Sequence, residues 1–342
     1  MVHAFKPDPN TNYGSNRTQF DFFSHVPEAT RTLTLLYSNE GTPANYRQMN
    51  GNSVHAYKLV NAKNEYRYVK FQWRSLQGLK NNDPKQTEQI QGKDFNHMSR
   101  DLITTINAGD YPKWDLYIQV LEPADLARYD FDPLDATKIW PDVPYQKIGQ
   151  MVLNKNPDNV FQETEQVAMA PSNLVPGIEP SEDRLLQGRL FSYADTQMYR
   201  LGANHAFLPI NQAKVPVNNG NQDGAANSGH TTTEVNYEPS RINPRPATEH
   251  ARYSNLPLSG STEQKKIQRE QNFKQAGELY RSYDKKMQGD LIASLGGALA
   301  EAEDESKHIM LSFFYKADAQ YGEGLTKAVS YTHLTLPTTP YV

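Results

Sequence analysis

The sequence has no cysteine among its 342 residues, which excludes disulfide bonds and thiolate metal sites. It has no run of roughly 18 apolar residues, the length that a membrane-spanning helix needs, so we expect no membrane partner. It also lacks an excess of either charge, because 35 basic residues stand against 39 acidic ones. That balance does not favour a nucleic-acid partner. The first residues contain no apolar stretch typical of a signal peptide.

Apolar residues are also scarce. They make up 37% of the sequence, and the mean hydropathy is -0.75. Ordinary globular domains contain about 45–50% apolar residues. The composition therefore predicts a modest core with long polar segments, completed by partner chains, and the length allows two domains or one domain with long excursions.

The pattern of apolar residues predicts both strands and helices. Helical spacing predicts a helix over residues 95–107 and further helices between residues 262 and 328, whose apolar stripes we interpret as core. Regular signals are weak from about residue 123 to 255. Alternating β-branched and aromatic residues predict strands over residues 31–38, 53–60, 65–73 and 114–121.

The most informative segment runs from Arg189 to Thr196 and places a guanidinium four residues before the phenol of Tyr193. Positions four apart on a helix lie on one face. A fixed cation or a metal ion beside a tyrosine favours the phenolate, and an anionic oxygen is a hard donor that suits ferric iron. The spacing alone leaves an ordinary packed or surface Arg–Tyr pair as the alternative.

The longer string from Leu185 to Gln197, continued by Arg200 to Asn204, resembles the proximal haem-ligand motif of the monofunctional haem catalases of the small-subunit type. Catalase is the standard example of a haem held by tyrosine. The resemblance implies haem as cofactor, Tyr193 as the axial iron ligand and Arg189 as the group that keeps it a phenolate. It implies an enzyme that converts hydrogen peroxide to water and oxygen through a ferryl intermediate.

The resemblance assigns further site residues. The family orients the arginine through a histidine and an aspartate, which fall on His55 and Asp183. Arg200 matches an arginine that pairs with a haem propionate, and Pro171 matches a haem-contacting proline. Gln197 stands where many members have a histidine. Taken alone, His55 is more typical of a satisfied core histidine, and Arg200 is equally compatible with an exposed surface arginine.

Some catalases of this size also bind NADPH. Glu40 stands where an arginine would meet the nucleotide phosphate, and a carboxylate repels a phosphate. Asp142 also replaces a histidine that is common in NADPH binders. We therefore expect no NADPH, although the resemblance places four other residues near such a site, namely Arg31, Asn50, Arg74 and Trp140.

The fold that the resemblance implies is α+β and catalase-like. It places the second half of an antiparallel β-barrel in residues 1–122, a long wrapping segment with the haem-ligand helix in 123–255, and a C-terminal helical subdomain in 256–328. Residues 329–342 fit neither the helical pattern nor the family, and we interpret them as a non-native tail. The resemblance begins inside the family pattern, so the native N-terminus is expected to be missing.

The distal histidine and asparagine of the family do not occur in the sequence. The histidine performs general acid–base catalysis, so its absence should lower the activity. Half a barrel leaves strand edges unpaired, and such edges favour aggregation. We expect the chain alone to aggregate, to bind haem weakly and to show little catalase activity. The full-length protein is expected to be a cytoplasmic homotetramer, with the periplasm as the alternative. Two other interpretations stay open: a haem-binding protein without peroxide turnover, and an oligomerisation protein with no cofactor.

Overall fold

The computed structural model describes residues 2–215, 234–237, 239–244, 254, 259–260, 263 and 268–329. No helix in these residues is both long and apolar enough to cross a lipid bilayer. An antiparallel sheet and a cluster of helices form the two main parts of the fold. Residues 330–342, which make up nearly all of the segment interpreted as a tail, lie outside the described residues.

The described residues contain one six-stranded sheet whose pairings are all antiparallel. Its strands are β1 (Gly51–Asn52), β2 (Tyr57–Val60), β3 (Tyr66–Ser75), β4 (Lys113–Leu121), β5 (Gln146–Val152) and β6 (Ile178–Pro180). The order across the sheet is β5-β4-β3-β2-β6, and β1 adds a short pairing to β3. The sheet thus places β6 beside β2. β6 ends shortly before the helix that carries Tyr193.

The longest strands are those with the clearest alternation. β3 and β4 are rich in aromatic and β-branched residues, and they pair along most of their length. The strands predicted over residues 65–73 and 114–121 are therefore confirmed. The strand predicted over residues 53–60 is confirmed only from Tyr57 onward, because the preceding residues form a turn that carries His55.

Nine α-helices occur in the described residues: α1 (Asn16–Ser24), α2 (Thr30–Tyr37), α3 (Pro84–Lys93), α4 (His97–Asn107), α5 (Arg184–Leu201), α6 (Lys274–Ser282), α7 (Lys285–Ala300), α8 (Asp304–Ala317) and α9 (Ala319–Ala328). The helices predicted over residues 95–107 and within 262–328 are confirmed. The stripes of α7 to α9 form a core, as predicted. Gly296 permits close contact there, because a Cβ at this position would lie 2.6 Å from the Cβ of Ala328.

The strand predicted over residues 31–38 is wrong, because this segment forms α2. Leu33 and Thr34 are fully buried, and α2 packs with α1 against the C-terminal helices. The Thr34 hydroxyl donates to the Thr30 carbonyl at 2.9 Å and lies 3.2 Å from the Tyr321 hydroxyl. Packing in the helical cluster therefore overrides the β propensity of the segment.

Helix α5 carries Tyr193 and begins immediately after Asp183. The Asp183 carboxylate accepts hydrogen bonds from the backbone N–H groups of Leu185 and Leu186 at 2.9 and 3.2 Å. A carboxylate at this position satisfies two open N–H groups and complements the positive end of the helix dipole. Of the residues in α5, Leu186 and Gln197 are buried. The helix is thus fixed at its start and leaves most of its surface exposed.

Candidate functional site

Four side chains form a continuous line of contacts between the sheet and α5. Asp183 Oδ2 lies 2.5 Å from His55 Nδ1, and Arg189 Nη1 lies 2.6 Å from His55 Nε2. Arg189 Nη2 donates a hydrogen bond to Tyr193 Oη at 2.7 Å. The structure therefore brings together the four residues predicted to form the catalytic group. We call them the Tyr193 relay.

The contacts determine where His55 carries its proton. Arginine only donates hydrogen bonds, so His55 Nε2 must accept one from Arg189. The proton of the ring therefore lies on Nδ1, which donates to the Asp183 carboxylate. Both residues are buried, with exposed fractions of 1% and 3%. The relay thus joins a carboxylate, a neutral imidazole and a guanidinium whose charge lies next to a phenol oxygen.

The positive charge of Arg189 also acts on two neighbouring tyrosine side chains, Tyr193 and Tyr57. Its central carbon lies 5.0 Å from the centroid of the Tyr193 ring. Burial raises the pKa of the neighbouring Tyr57 hydroxyl, and the positive charge of Arg189 opposes that rise. A cation favours the charged form of a nearby phenol. The field of Arg189 therefore acts in the direction that a phenolate ligand requires.

A tight turn positions His55 ahead of β2. The His55 N–H donates to the Ser53 carbonyl at 2.7 Å, which closes a γ-turn, and Val54 at its centre has φ +63°. A β-branched residue in the left-handed region costs on the order of 1–3 kcal/mol. Ser53 anchors the turn to β3, because its Oγ accepts from the Phe71 N–H at 3.0 Å. The alternating pattern over residues 53–60 concealed this turn in the sequence.

An ionic network around the buried Lys58 lies beside the relay and was not predicted. Lys58 Nζ lies 2.9 Å from Glu182 Oε1 and donates to Ser254 Oγ at 2.8 Å. The Tyr68 hydroxyl donates to Glu182 Oε2 at 2.7 Å. Burial raises the pKa of Glu182, but the two hydrogen bonds, a backbone hydrogen bond and the positive charge of Lys58 together hold the pKa below its ordinary value. The network ties the residue before Asp183 to β2 and β3.

Arg200 and Gln197, predicted to bind the cofactor, lie farther along α5. Arg200 Nε donates to Gln197 Oε1 at 2.9 Å, and its Nη atoms donate to the carbonyls of Glu165 and Val167 at 2.8 and 2.6 Å. Gln197 Nε2 donates to the Met169 carbonyl at 3.3 Å. A guanidinium has five N–H groups. These contacts use three of them, so two remain for another acceptor.

Pro171, also predicted to contact the cofactor, lies in a turn before β6. The Asn173 N–H donates to the Ala170 carbonyl at 3.0 Å across this turn. The structure does not bring Pro171 into the Tyr193 relay, and its haem contact stays a prediction. Within the described part of the chain, no group of three or more His, Asp or Glu side chains could hold a metal ion.

The positions that the resemblance assigned to a nucleotide site lie partly together. A cavity of about 610 Å³ is lined by four of them, namely Arg31, Glu40, Asn50 and Trp140. Arg74 lies between two tyrosine rings, with its guanidinium carbon 4.4 and 4.2 Å from their centroids. Asp142 accepts a hydrogen bond from the Tyr129 hydroxyl at 2.6 Å. The cavity therefore contains both a cation and the carboxylate that was expected to exclude a phosphate.

The sequence is similar to those of known catalases. Residues 1–244 match the family described as Catalase, and residues 266–329 match the family described as Catalase-related immune-responsive. The catalase of Pseudomonas aeruginosa is 72% identical over 327 residues, which cover 96% of this chain and 64% of that protein. The catalase of Vibrio cholerae is 54% identical over 331 residues, with coverages of 96% and 66%. The chain thus spans less than two thirds of the length of these relatives.

Solved structures show the same fold. Catalase A from Saccharomyces cerevisiae superposes with a TM-score of 0.90 at 32% identity, and the match covers 96% of this chain and 70% of that one. A fungal catalase superposes with a TM-score of 0.89 at 32% identity, with coverages of 96% and 68%. The expected catalase-like α+β fold is confirmed. These matches include both the sheet and the helical cluster. The chain therefore belongs to the catalase family.

Proposed function

We propose that the whole protein is a haem catalase, which converts two molecules of hydrogen peroxide to two of water and one of oxygen. The observation that carries this proposal is the Tyr193 relay, in which a line of contacts starts at the buried Asp183 and His55 and ends on a phenol oxygen. Relatives that are 72% and 54% identical bear the name catalase. The proposal concerns the whole protein, because the chain spans only 64% of the Pseudomonas aeruginosa relative.

Tyr193 is the residue that would hold the haem iron. Arg189 stays protonated at every physiological pH, and its N–H donates to Tyr193 Oη at 2.7 Å. A hydrogen bond from a cation favours an anionic phenol oxygen, the hard donor that ferric iron prefers. Tyr193 is half-buried, so part of the residue is accessible from outside. When bound, the haem supplies the four porphyrin nitrogens and the redox chemistry with peroxide.

His55 and Asp183 would act through Arg189. The neutral imidazole accepts one guanidinium N–H at 2.6 Å, and the carboxylate holds the ring in the required tautomer at 2.5 Å. Groups that orient a metal ligand in this way set its geometry and basicity. With one Nη bound to His55, the other Nη remains directed at Tyr193. We therefore assign His55 and Asp183 as positioning residues for the ligand.

Arg200 would pair with a haem propionate through the two N–H groups that its protein contacts leave available. Gln197 holds the guanidinium through its Nε and is itself held by the Met169 carbonyl. Pro171 follows Met169 by two residues and would contribute an apolar haem contact. We propose these three residues as the remaining haem-binding positions.

The chain alone would turn over little peroxide. The family's distal histidine moves a proton between the peroxide oxygens, a task typically worth about 10²–10⁴-fold in rate, and it is not among these residues. A catalase-like protein that binds haem without peroxide turnover is therefore the second candidate for this chain. Oxygen evolution at equal haem concentration, compared between the 342-residue chain and the whole protein, distinguishes the two.

We also propose that the whole protein is a homotetramer. Helix α5 exposes large apolar and aromatic side chains, with Phe191 and Tyr199 exposed by 77% and 84%. Exposed apolar surface of this kind is typical of a contact with another chain. Mass photometry of the whole protein at nanomolar concentration measures the number of subunits. A monomer at that concentration would contradict this assembly.

The experiment that tests the function is Tyr193→Phe in the whole protein. We expect the variant to lose the iron–tyrosinate bands of its resonance Raman spectrum, and oxygen evolution from peroxide to fall to background. Tyr13→Phe is the control, because Tyr13 is 74% exposed and lies outside both α5 and the proposed subunit contact. The control should keep both signals. A Tyr193→Phe protein with unchanged bands and turnover would show that another group holds the iron.

A further inference from the structure

The Tyr193 relay joins two segments that are far apart in the chain. His55 follows a γ-turn, and Asp183 caps α5. Strands β2 and β6 pair beside them, with Tyr57 opposite Pro180. Proline has no N–H, so the backbone ladder cannot continue through Pro180 towards the relay. Another contact must hold the two segments at the point where the ladder ends.

Ser181 provides that contact. It is fully buried, and its Oγ donates to the Ala56 carbonyl at 2.5 Å. The same oxygen accepts a hydrogen bond from the Asp183 N–H at 3.3 Å. Ala56 immediately follows His55. One hydroxyl therefore bridges the backbone next to the relay histidine and the backbone of the relay aspartate.

The carbonyl of Ser181 has a role of its own. It accepts a hydrogen bond from Gln187 Nε2 at 2.8 Å, which ties Ser181 to the second turn of α5. Arg189 lies two residues beyond Gln187 on that helix. Ser181 thus connects the residue that follows His55, the residue that caps α5 and the helix that carries the guanidinium. The strained γ-turn at Val54 needs such restraint, because its left-handed backbone would otherwise relax.

We propose that Ser181 is a positioning residue of the Tyr193 relay. Its hydroxyl sets the separation of His55 and Asp183, and so keeps His55 Nε2 directed at Arg189. This inference rests on the proposed function, because the consequence of correct positioning is a stable tyrosinate ligand. Without the hydroxyl, the segment that holds His55 loses its hydrogen bond to the α5 side of the relay, and the contact of Arg189 with Tyr193 loosens.

The test is Ser181→Ala in the haem-loaded whole protein, compared with Ser24→Ala. Ser24 is also buried and donates its hydroxyl to a backbone carbonyl, that of Asp21 at 2.6 Å, but it lies in α1. Both variants lose one buried hydroxyl-to-carbonyl bond, so both should unfold at a lower urea concentration. Only Ser181→Ala should shift the iron–tyrosinate Raman bands and release haem about tenfold faster or more.

The outcomes separate the two proposals. Raman bands and haem release that stay unchanged in Ser181→Ala, with unfolding shifted as in the control, would overturn the positioning role and leave the proposed function intact. The absence of tyrosinate bands from the wild-type protein would overturn the proposed function itself. If Ser181→Ala does not fold, Ser181→Cys keeps a weak donor and repeats the test. A smaller shift in the same direction is then expected, and no shift would overturn the role.

Discussion

His55 Nε2 lies 2.6 Å from Arg189 Nη1, although 134 residues separate the two in the chain. The antiparallel pairing of β2 with β6 produces this proximity, because it places the turn that carries His55 beside the start of α5. The imidazole then accepts from one Nη atom of Arg189 while the other Nη meets Tyr193. A single planar cation therefore links the sheet to the proposed iron ligand.

We predict that Arg189→Lys weakens haem retention. A lysine carries the same charge but no planar fork, so it cannot hold His55 and Tyr193 with two fixed N–H groups. Loss of a hydrogen bond to a charged group costs about 1.5–3 kcal/mol, which corresponds to roughly tenfold or more in haem release. Transfer of haem to an excess of apomyoglobin measures the rate. Arg184→Lys, an exposed position on the same helix, should release haem at the wild-type rate.

We predict that the cavity lined by Arg31 and Glu40 does not bind NADPH, and that Glu40→Arg increases its affinity for NADPH. The carboxylate repels a phosphate, and its replacement by a cation reverses the sign of that interaction. Nucleotide fluorescence measures the affinity, and we expect a gain of about tenfold or more at low salt. Glu88→Arg on the exposed surface of α3 is the control for net charge. Tight binding of NADPH to the wild-type protein would contradict this prediction.

We predict that Lys70 makes the free energy of unfolding depend on pH. Burial lowers the pKa of its ammonium from 10.5 to about 8, and the Asp183 carboxylate partly opposes this effect. Between pH 8 and 10.5 the unfolded chain binds more protons at this position than the folded chain, so stability should rise with pH. Below pH 8 the lysine is charged in both states, and the full cost of burying the charge remains.

Urea unfolding of the wild type and of Lys70→Met across this pH window tests the Lys70 prediction. The difference in unfolding free energy, wild type minus variant, should increase with pH from about 8 to 10.5. The variant also loses the hydrogen bond from Lys70 Nζ to the Lys138 carbonyl, which shifts the curve without changing its slope with pH. Parallel curves for the two proteins would show that burial does not perturb this lysine.

We predict that Phe20→Ala destabilises the C-terminal helices. Phe20 lies on α1, is fully buried and belongs to the same core as Phe314 and Leu295. Removal of a buried phenylalanine ring costs about 3–5 kcal/mol. Hydrogen exchange of the α8 amides should become faster if α1 and α8 form one cooperative unit. Tyr13→Ala, at a position that is 74% exposed, should leave this exchange unchanged. Slow exchange in α8 of Phe20→Ala would mean that the helices unfold separately.

Much of the architecture follows from local patterns. The stripes of α7 to α9 and the alternation in β3 and β4 reflect a single buried face, which period and residue type express directly. The segment over residues 31–38 does not follow its local pattern. Its β-branched residues favour a strand, but burial of Leu33 against helices more than two hundred residues away selects α2.

The residue types of the site, a phenol one helical turn after a guanidinium, were determined by the sequence itself, because the spacing of Arg189 and Tyr193 is local. The proton position on His55, the strained turn at Val54 and the bridge made by Ser181 were decided only by the tertiary structure. These features depend on distances between segments that the chain brings together when β6 pairs with β2. No local pattern specifies such distances, since they result from the packing of both segments at once.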